Sequence, residues 1–172
     1  MNEVTEMIGR SPAMKTVHAL VERVAPTDAT VLVSGESGSG KEPVAQAIHR
    51  HSERRNGPFL AVNCGAIPAT LIESELFGYE RGSFTGAARS HEGVFERASG
   101  GTLFLDEVTE MSNEMQTRLL RLLETRRFFR VGGSTEIRTD VRIVAATNRC
   151  PIQATHDGVL REDLLYLSLI HI

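Results

Sequence analysis

A short apolar, β-branched run, Thr30-Val31-Leu32-Val33-Ser34, passes without a spacer into Gly35-Glu36-Ser37-Gly38-Ser39-Gly40-Lys41-Glu42. The pattern then turns helical to about His51. Such a run reads as a strand buried in a parallel sheet. The spacing Gly35-x-x-x-x-Gly40-Lys41 between a strand and a helix is that of a phosphate-binding loop. Glycines allow backbone N–H groups to turn inward around phosphate oxygens, where the helix N-terminus adds partial positive charge. Lys41 supplies a point charge for β- and γ-phosphates. The Ser or Thr that usually follows the lysine, as a magnesium ligand, is Glu42 here. Pro43 is tolerated because it lies in the first helical turn. The alternative is a glycine-rich strand-to-helix turn with an exposed lysine.

The remaining pattern fits one α/β domain. Ser11-Pro12 reads as a helix cap and first position, followed by an apolar stripe of Met14, Val17, Leu20, Val21 and Val24. Phe59–Asn63 reads as a strand and Leu71–Phe77 as a helix. Thr102–Asp106 is a third strand. Ser112 caps a helix with the stripe Met115, Leu119, Leu122 and Leu123. Phe128–Val131 and Thr135–Arg138 flank Gly132-Gly133-Ser134 as a hairpin, and Val141–Ala146 is a fourth core strand. Strands alternating with helices point to a parallel sheet covered on both faces. At 172 residues, with 41% apolar and 24% charged residues, the chain can bury a real core. A net charge of -3 argues against a free-standing polyanion binder. Cys64 and Cys150 lack metal-ligand spacing and read as reduced, neutral thiols of a cytosolic protein. No apolar run reaches membrane-spanning length, and no signal-peptide pattern opens the chain.

Two further constellations carry chemistry. Leu103-Phe104-Leu105-Asp106-Glu107 delivers adjacent acids to a strand's C-terminal end, where α/β ligands bind. With the phosphate loop upstream, Asp106 is the candidate magnesium ligand and Glu107 the candidate general base for an attacking water. Solvated carboxylates at a strand end are the alternative. Asn63 and Thr147-Asn148 end two other strands and would converge on the same edge, either as polar groups of the site or as turn residues. The second constellation is the uncharged run Gly82-Ser83-Phe84-Thr85-Gly86-Ala87. With Gly78, its glycines recur every fourth residue, which predicts a mobile loop rather than a packed helix. Phe84 is either a loop-tip aromatic or a core ring in a turn, and its small, polar neighbours favour the tip.

Taken together, these residues resemble the AAA+ domain of bacterial enhancer-binding proteins, which activate sigma-54 RNA polymerase. The likeness runs from about Met7 to Tyr166. It rests on the loop ending Lys41-Glu42, on Val62-Asn63-Cys64-Gly65-Ala66, Glu73–Gly78, Gly100–Glu107 and Arg130-Val131-Gly132-Gly133. Gly82–Ala87 resembles the GAFTGA signature, with Ser83 in place of its first alanine. The resemblance implies a three-layer α/β/α P-loop ATPase that uses ATP and Mg2+ and works in the bacterial cytoplasm as a ring, usually a hexamer. It implies that the Gly82–Ala87 loop, with Phe84 and Thr85 at its tip, touches sigma-54, with the 128–140 hairpin moving beside it. Asn63 would hold and release Glu107, Asn148 with Thr147 would sense the γ-phosphate, and Arg161 would reach a neighbour's ATP.

The end of the chain departs from that pattern. Leu167 stands where the family usually has a second arginine, and residues 167–172 do not read as the family continuation. The family's helical lid, its receiver-type regulatory domain and its helix-turn-helix DNA-binding domain are not represented. DNA would therefore be contacted only through a domain outside these residues, and hydrolysis by the chain alone is expected to be weak or absent. The Thr30–Ser34 strand would be left as an open apolar edge, which the terminal apolar residues are expected to cover in part. Two other readings stay open: another AAA+ remodeller, such as a helicase loader or chelatase, and a module that holds nucleotide without hydrolysing it.

Overall fold

The structure is a computed structural model describing Met7, residues 9–167 and residues 170–171. Helix α1 (Pro12–Val24) starts where Ser11 Oγ accepts from Met14 N at 3.3 Å, with proline at its first position. Of its apolar stripe only Val21 and Val24 are buried, with Val17 partly buried against the same core. Strand β1 (Val31–Ser34), helix α2 (Lys41–Arg50) and strand β2 (Phe59–Asn63) follow. Short helices α3 (Ile72–Phe77) and α4 (Val94–Arg97) lead to strand β3 (Thr102–Asp106) and a 3-10 turn, Val108–Glu110. Helix α5 (Asn113–Thr125) is capped by Ser112, whose Oγ accepts from Met115 N at 3.2 Å.

The hairpin is shorter than its sequence predicts. Strands β4 (Arg127–Phe128) and β5 (Ile137–Arg138) pair over two residues each. The cause is competition: Val131 exchanges backbone bonds with the 78–80 segment, Glu80 N to Val131 O at 3.0 Å and Val131 N to Gly78 O at 2.9 Å. Strand β6 (Arg142–Thr147), helices α6 (Pro151–His156) and α7 (Glu162–Leu167) and strand β7 (Ile170–His171) complete the order.

The main sheet runs β2-β3-β6-β1-β7, with every pairing parallel. Its alternation sorts the core into two layers. Val31, Val33, Phe104, Val144 and Ala146 pack with Val21, Val24 and α2 on one face. Leu32, Leu103, Leu105, Ile143 and Ala145 pack with residues of α3, α4, α5 and α7 on the other. This is the expected α/β/α sandwich. At the β1 edge Ile170 and His171 pair with Val31 and Leu32, which covers the first half of the strand, in line with the partial cover expected. Ser168, Leu169 and Ile172 of that tail lie outside the described residues.

The edge formed by the strand N-termini is strapped by polar groups. Arg142 is fully buried, and its guanidinium donates to Ala25 O at 2.7 Å and Val24 O at 2.8 Å, satisfying the last carbonyls of α1. Arg54 holds Asp28 at 2.8 Å and Asp140 at 2.6 Å. Its guanidinium keeps the Asp28 carboxyl below the ordinary aspartate range. Nearby, the buried His49 ring sits 2.9 Å from Thr102 Oγ1, and burial pushes its pKa down from 6.5.

A base with a depressed folded pKa stays neutral when folded while the unfolded chain takes up its proton. The stability owed to a neutral His49 is therefore fully present above about pH 6.5 and is lost as pH falls through the folded value. Asp28 acts in a separate, more acidic window, below its unfolded value of 3.8. Urea midpoints should fall between pH 7.5 and 5.5, and a His49→Gln variant should show a flatter slope. An equal slope in the variant would show that His49 does not carry this titration.

Candidate functional site

The parallel register brings the C-terminal ends of four strands to one edge. Ser34 lies level with Thr147, and Asn63 with Asp106. The phosphate loop leaves β1 here, tied at its root by Gly35 N to Thr147 O at 3.2 Å. Gly38 and Gly40 adopt φ of 76° and 90°, a backbone that glycine takes without strain. Among the described residues, the N–H groups of Ser37, Gly38 and Gly40 have no acceptor within the chain, although Ser39 N bonds Glu36 O. Lys41 is only 7% exposed, yet its Nζ donates to Gly35 O at 2.9 Å and Glu36 O at 2.8 Å. The loop carbonyls thus occupy a cation suited to phosphate oxygens. Free donors and a held lysine on a strand-to-helix turn fit a polyphosphate. Glu42 faces along α2 and accepts from Gln46 at 3.3 Å.

The acids lie across this edge. Asp106 Oδ1 accepts from Glu107 N at 2.9 Å. Glu107 is one of two non-glycine residues with positive φ among those described, at φ 56° and ψ 49°. Its Oε2 is buried without a hydrogen-bond partner. Strained backbone and an unpaired buried oxygen cost free energy, and they sit where a water or ion would complete the shell. The carboxylates of Asp106 and Glu107 beside the loop are oxygen donors of the kind that suit magnesium.

The other candidate residues are placed as follows. Asn63 Oδ1 accepts from Gly65 N at 2.9 Å, an Asx turn, and makes no bond to Glu107. The two side chains nevertheless flank Gly65, where an added Cβ would lie 3.4 Å from Asn63 Oδ1 and 3.8 Å from Glu107 Cβ. Asn148 is exposed, but Thr147 is 0% exposed, its hydroxyl 3.0 Å from Thr109 Oγ1 and accepting from Arg149 N. Thr147 therefore stands behind the site rather than facing it. Arg161 pairs through its fork with Asp163 of its own turn, at 3.0 and 2.7 Å. Its backbone N donates to Gln116 Oε1 at 2.9 Å. Gln116 was missed in the sequence. It is fully buried on α5 and also donates to Met111 O and Val159 O. A glutamine beside Met115 and Leu119 was the available signal.

The Gly82–Ala87 loop is folded rather than slack. Gly82 N donates to Ala87 O at 2.8 Å, closing its base, and Ala87 N donates to Phe84 O at 3.1 Å. Phe84 packs edge-on against Tyr79 at 4.9 Å and stays 44% exposed, while Thr85 and both glycines are exposed. The loop packs against the hairpin. Arg130 clasps Glu96 through two 2.8 Å bonds and Glu80 through one of 3.2 Å, and Ser83 rests on Gly132. The Ser83 hydroxyl is buried without a partner. Of the thiols, Cys64 is buried, which pushes its pKa up to about 12, and Cys150 is exposed.

A glycine-lined phosphate loop, an acid pair on the adjacent strand and a three-layer parallel sheet define a P-loop NTPase domain of the AAA+ kind. The sigma-54 interaction domain family matches residues 7–172, and the chain belongs to that family. It is 55% identical over 165 residues to the DNA-binding transcriptional regulator NtrC of Azospirillum brasilense, covering 96% of this chain and 34% of that protein. It is 52% identical over 160 residues to the transcriptional regulatory protein FlbD of Caulobacter vibrioides, covering 93% and 35%. The chain thus spans about a third of the length of the curated relatives it matches. Crystalline NtrX from Brucella abortus in complex with ATP superposes with a TM-score of 0.88 at 42% identity, over 97% of this chain and 36% of that one. The P-loop NTPase domain of an Escherichia coli sigma-54 activator, at 19% identity and TM-score 0.64 over 96% of both chains, shares the fold.

The contact between loop and hairpin can be weighed by substitution. Gly132 (φ 71°) and Gly158 (φ 74°) share a backbone region, but a Cβ at Gly132 would lie 2.6 Å from Ser83 Cβ while one at Gly158 meets nothing. Gly158→Ala should cost about 1–2 kcal/mol from the left-handed backbone alone. Gly132→Ala should cost measurably more by urea unfolding, and Ser83→Gly should recover the excess. Equal losses would mean that the two segments do not press on each other.

Proposed function

We propose that this chain is the ATP-binding and ATP-hydrolysing core of a sigma-54-dependent transcription activator. In this reading it remodels the closed sigma-54 RNA polymerase complex through the Gly82–Ala87 loop. The observation that carries the reading is one edge of a parallel sheet bearing Lys41, Asp106 and Glu107 together with a separate, half-exposed aromatic loop tip. Family membership and the ATP and ADP complexes of Brucella abortus NtrX support it.

In this mechanism the amides of Glu36–Gly40 and the Lys41 ammonium bind the phosphates, with Glu42 in the first helical turn. Asp106 would hold magnesium, which when bound neutralises phosphate charge. Glu107 orients a water and takes its proton, which its unpaired buried oxygen suits. Asn63, across Gly65, would exchange its turn bond for Glu107 in one nucleotide state. Asn148, exposed at the end of β6, would meet the γ-phosphate, with Thr147 setting its turn. Arg161 would leave Asp163 to reach a neighbouring copy's nucleotide, so hydrolysis is a property of a ring, with six copies as in the family. Phe84 and Thr85, with Gly82, Ser83, Gly86 and Ala87 forming the rest of the loop, would engage sigma-54. The setting is the bacterial cytoplasm. Any DNA contact would belong to parts of the relatives outside the matched third. Among the described residues no helix is long and apolar enough to cross a membrane.

A second reading is a nucleotide-holding chain with little hydrolysis. It is favoured by the pairing of Arg161 with its own Asp163 and by Leu167 at the family's second arginine position. Two measurements separate the readings. With a transition-state mimic of ATP, the wild-type chain should retain sigma-54 in a pull-down and Phe84→Ala should not. Hydrolysis by the isolated chain is expected to be weak, so at concentrations that favour assembly Glu107→Gln should bind ATP as the wild type does but turn it over at least about 100-fold more slowly. Undiminished sigma-54 capture by Phe84→Ala would overturn the loop assignment. Wild-type turnover no faster than Glu107→Gln would favour the second reading.

A further inference from the structure

The turn after β3 is fastened to the turn after β6 by two adjacent side-chain pairs. Thr109 and Thr147 share a hydroxyl–hydroxyl bond of 3.0 Å, both being buried. Beside it Arg149 faces Glu110 at 3.6 Å. The same 3-10 turn carries Glu107 at its start, where Glu110 N donates to Glu107 O at 3.0 Å. Glu107 itself is held in a left-handed conformation that a charged side chain adopts only at a cost. Thr147 is meanwhile the root of the phosphate loop through Gly35 N, and its hydroxyl also accepts from Arg149 N. One residue thus joins the phosphate loop, the turn presenting Asn148 and, through Thr109 alone, the turn presenting Glu107.

We propose that Thr109 is a positioning residue, whose bond to Thr147 fixes the turn that aims Glu107 at the attacking water. The inference rests on the reading of Glu107 as the general base. It assigns to Thr109 no contact with nucleotide, since the residue is buried behind the strand ends. Without the hydroxyl, the left-handed turn loses the buried tie that opposes its relaxation. Glu107 then drifts while the phosphate loop, anchored by the Thr147 carbonyl, keeps its shape. Small misplacements of a reacting group lower the rate steeply without weakening binding.

The test uses the full chain at high concentration, with single-turnover hydrolysis of radiolabelled ATP and fluorescent ATP and ADP titrations. Thr109→Val, nearly isosteric, should slow turnover about tenfold or more with ATP affinity unchanged within about twofold. Thr109→Ser, which restores the hydroxyl, should recover most of the rate. In the Glu107→Gln background Thr109→Val should add nothing, because it acts through that side chain. A purely structural residue would instead lower the unfolding midpoint and nucleotide affinity together. Equal turnover in wild type and Thr109→Val overturns this inference alone. Tight ATP binding with no wild-type turnover overturns it together with the hydrolytic reading, and a slowdown that persists undiminished in the Glu107→Gln background also overturns it.

Discussion

The parallel backbone register of the central sheet is the constraint on which the rest depends. Parallel strands offer their C-terminal ends on one side, and helices must return the chain across both faces. Ser34 opposite Thr147 and Asn63 opposite Asp106 therefore need no side-chain contact to be neighbours. Had β3 slipped by one residue against β2, Phe104 and Leu105 would exchange layers, and the carboxylate of Asp106 would turn to the opposite face. The apolar alternation that sorts Leu32, Leu105 and Ala145 from Val31, Phe104 and Val144 thus also fixes the chemistry at the edge.

Polar groups are distributed unequally between the two ends of that sheet. At the N-terminal edge, Arg142, Arg54 and His49 find carbonyls, carboxylates or hydroxyls, although Arg142 Nε is buried without a partner. Next to the phosphate loop and the exposed loop the satisfaction is incomplete. Glu107 Oε2 and Ser83 Oγ are buried without partners. An unmade buried hydrogen bond costs about 1–3 kcal/mol, so two of the three such atoms among the described residues burden the acid turn and the exposed loop.

Much of this was legible in the chain. The Gly35–Lys41 loop, the strand ending Asp106-Glu107, the caps Ser11 and Ser112 and the strand limits of β2 and β3 all follow from periodicity and residue type. What escaped depends on partners distant in sequence. The sequence predicts a longer hairpin, since nothing local shows that Val131 bonds to Gly78 and Glu80, some fifty residues away. Thr147 reads as a site residue at a strand end, but its hydroxyl is taken by Thr109. Gln116 and Arg142 carry no local signal of what they bind, only the oddity of polar residues among apolar ones. The glycines of the 82–86 loop predict a loop rather than a packed helix, without showing how it closes. In the structure they supply the positive φ values, 79° at Gly82 and 98° at Gly86, that let the loop close on itself.

That closure has a consequence for recognition. A disordered tip would have to be immobilised at the moment of contact, and the lost backbone freedom, about 1–2 kcal/mol per residue, would be subtracted from affinity. A loop already closed from Gly82 to Ala87, with Phe84 braced on Tyr79, arrives with that ordering done. It can then meet a surface as a small rigid knob. In the proposed function, the strength of an encounter would be set by what the exposed part of the Phe84 ring covers.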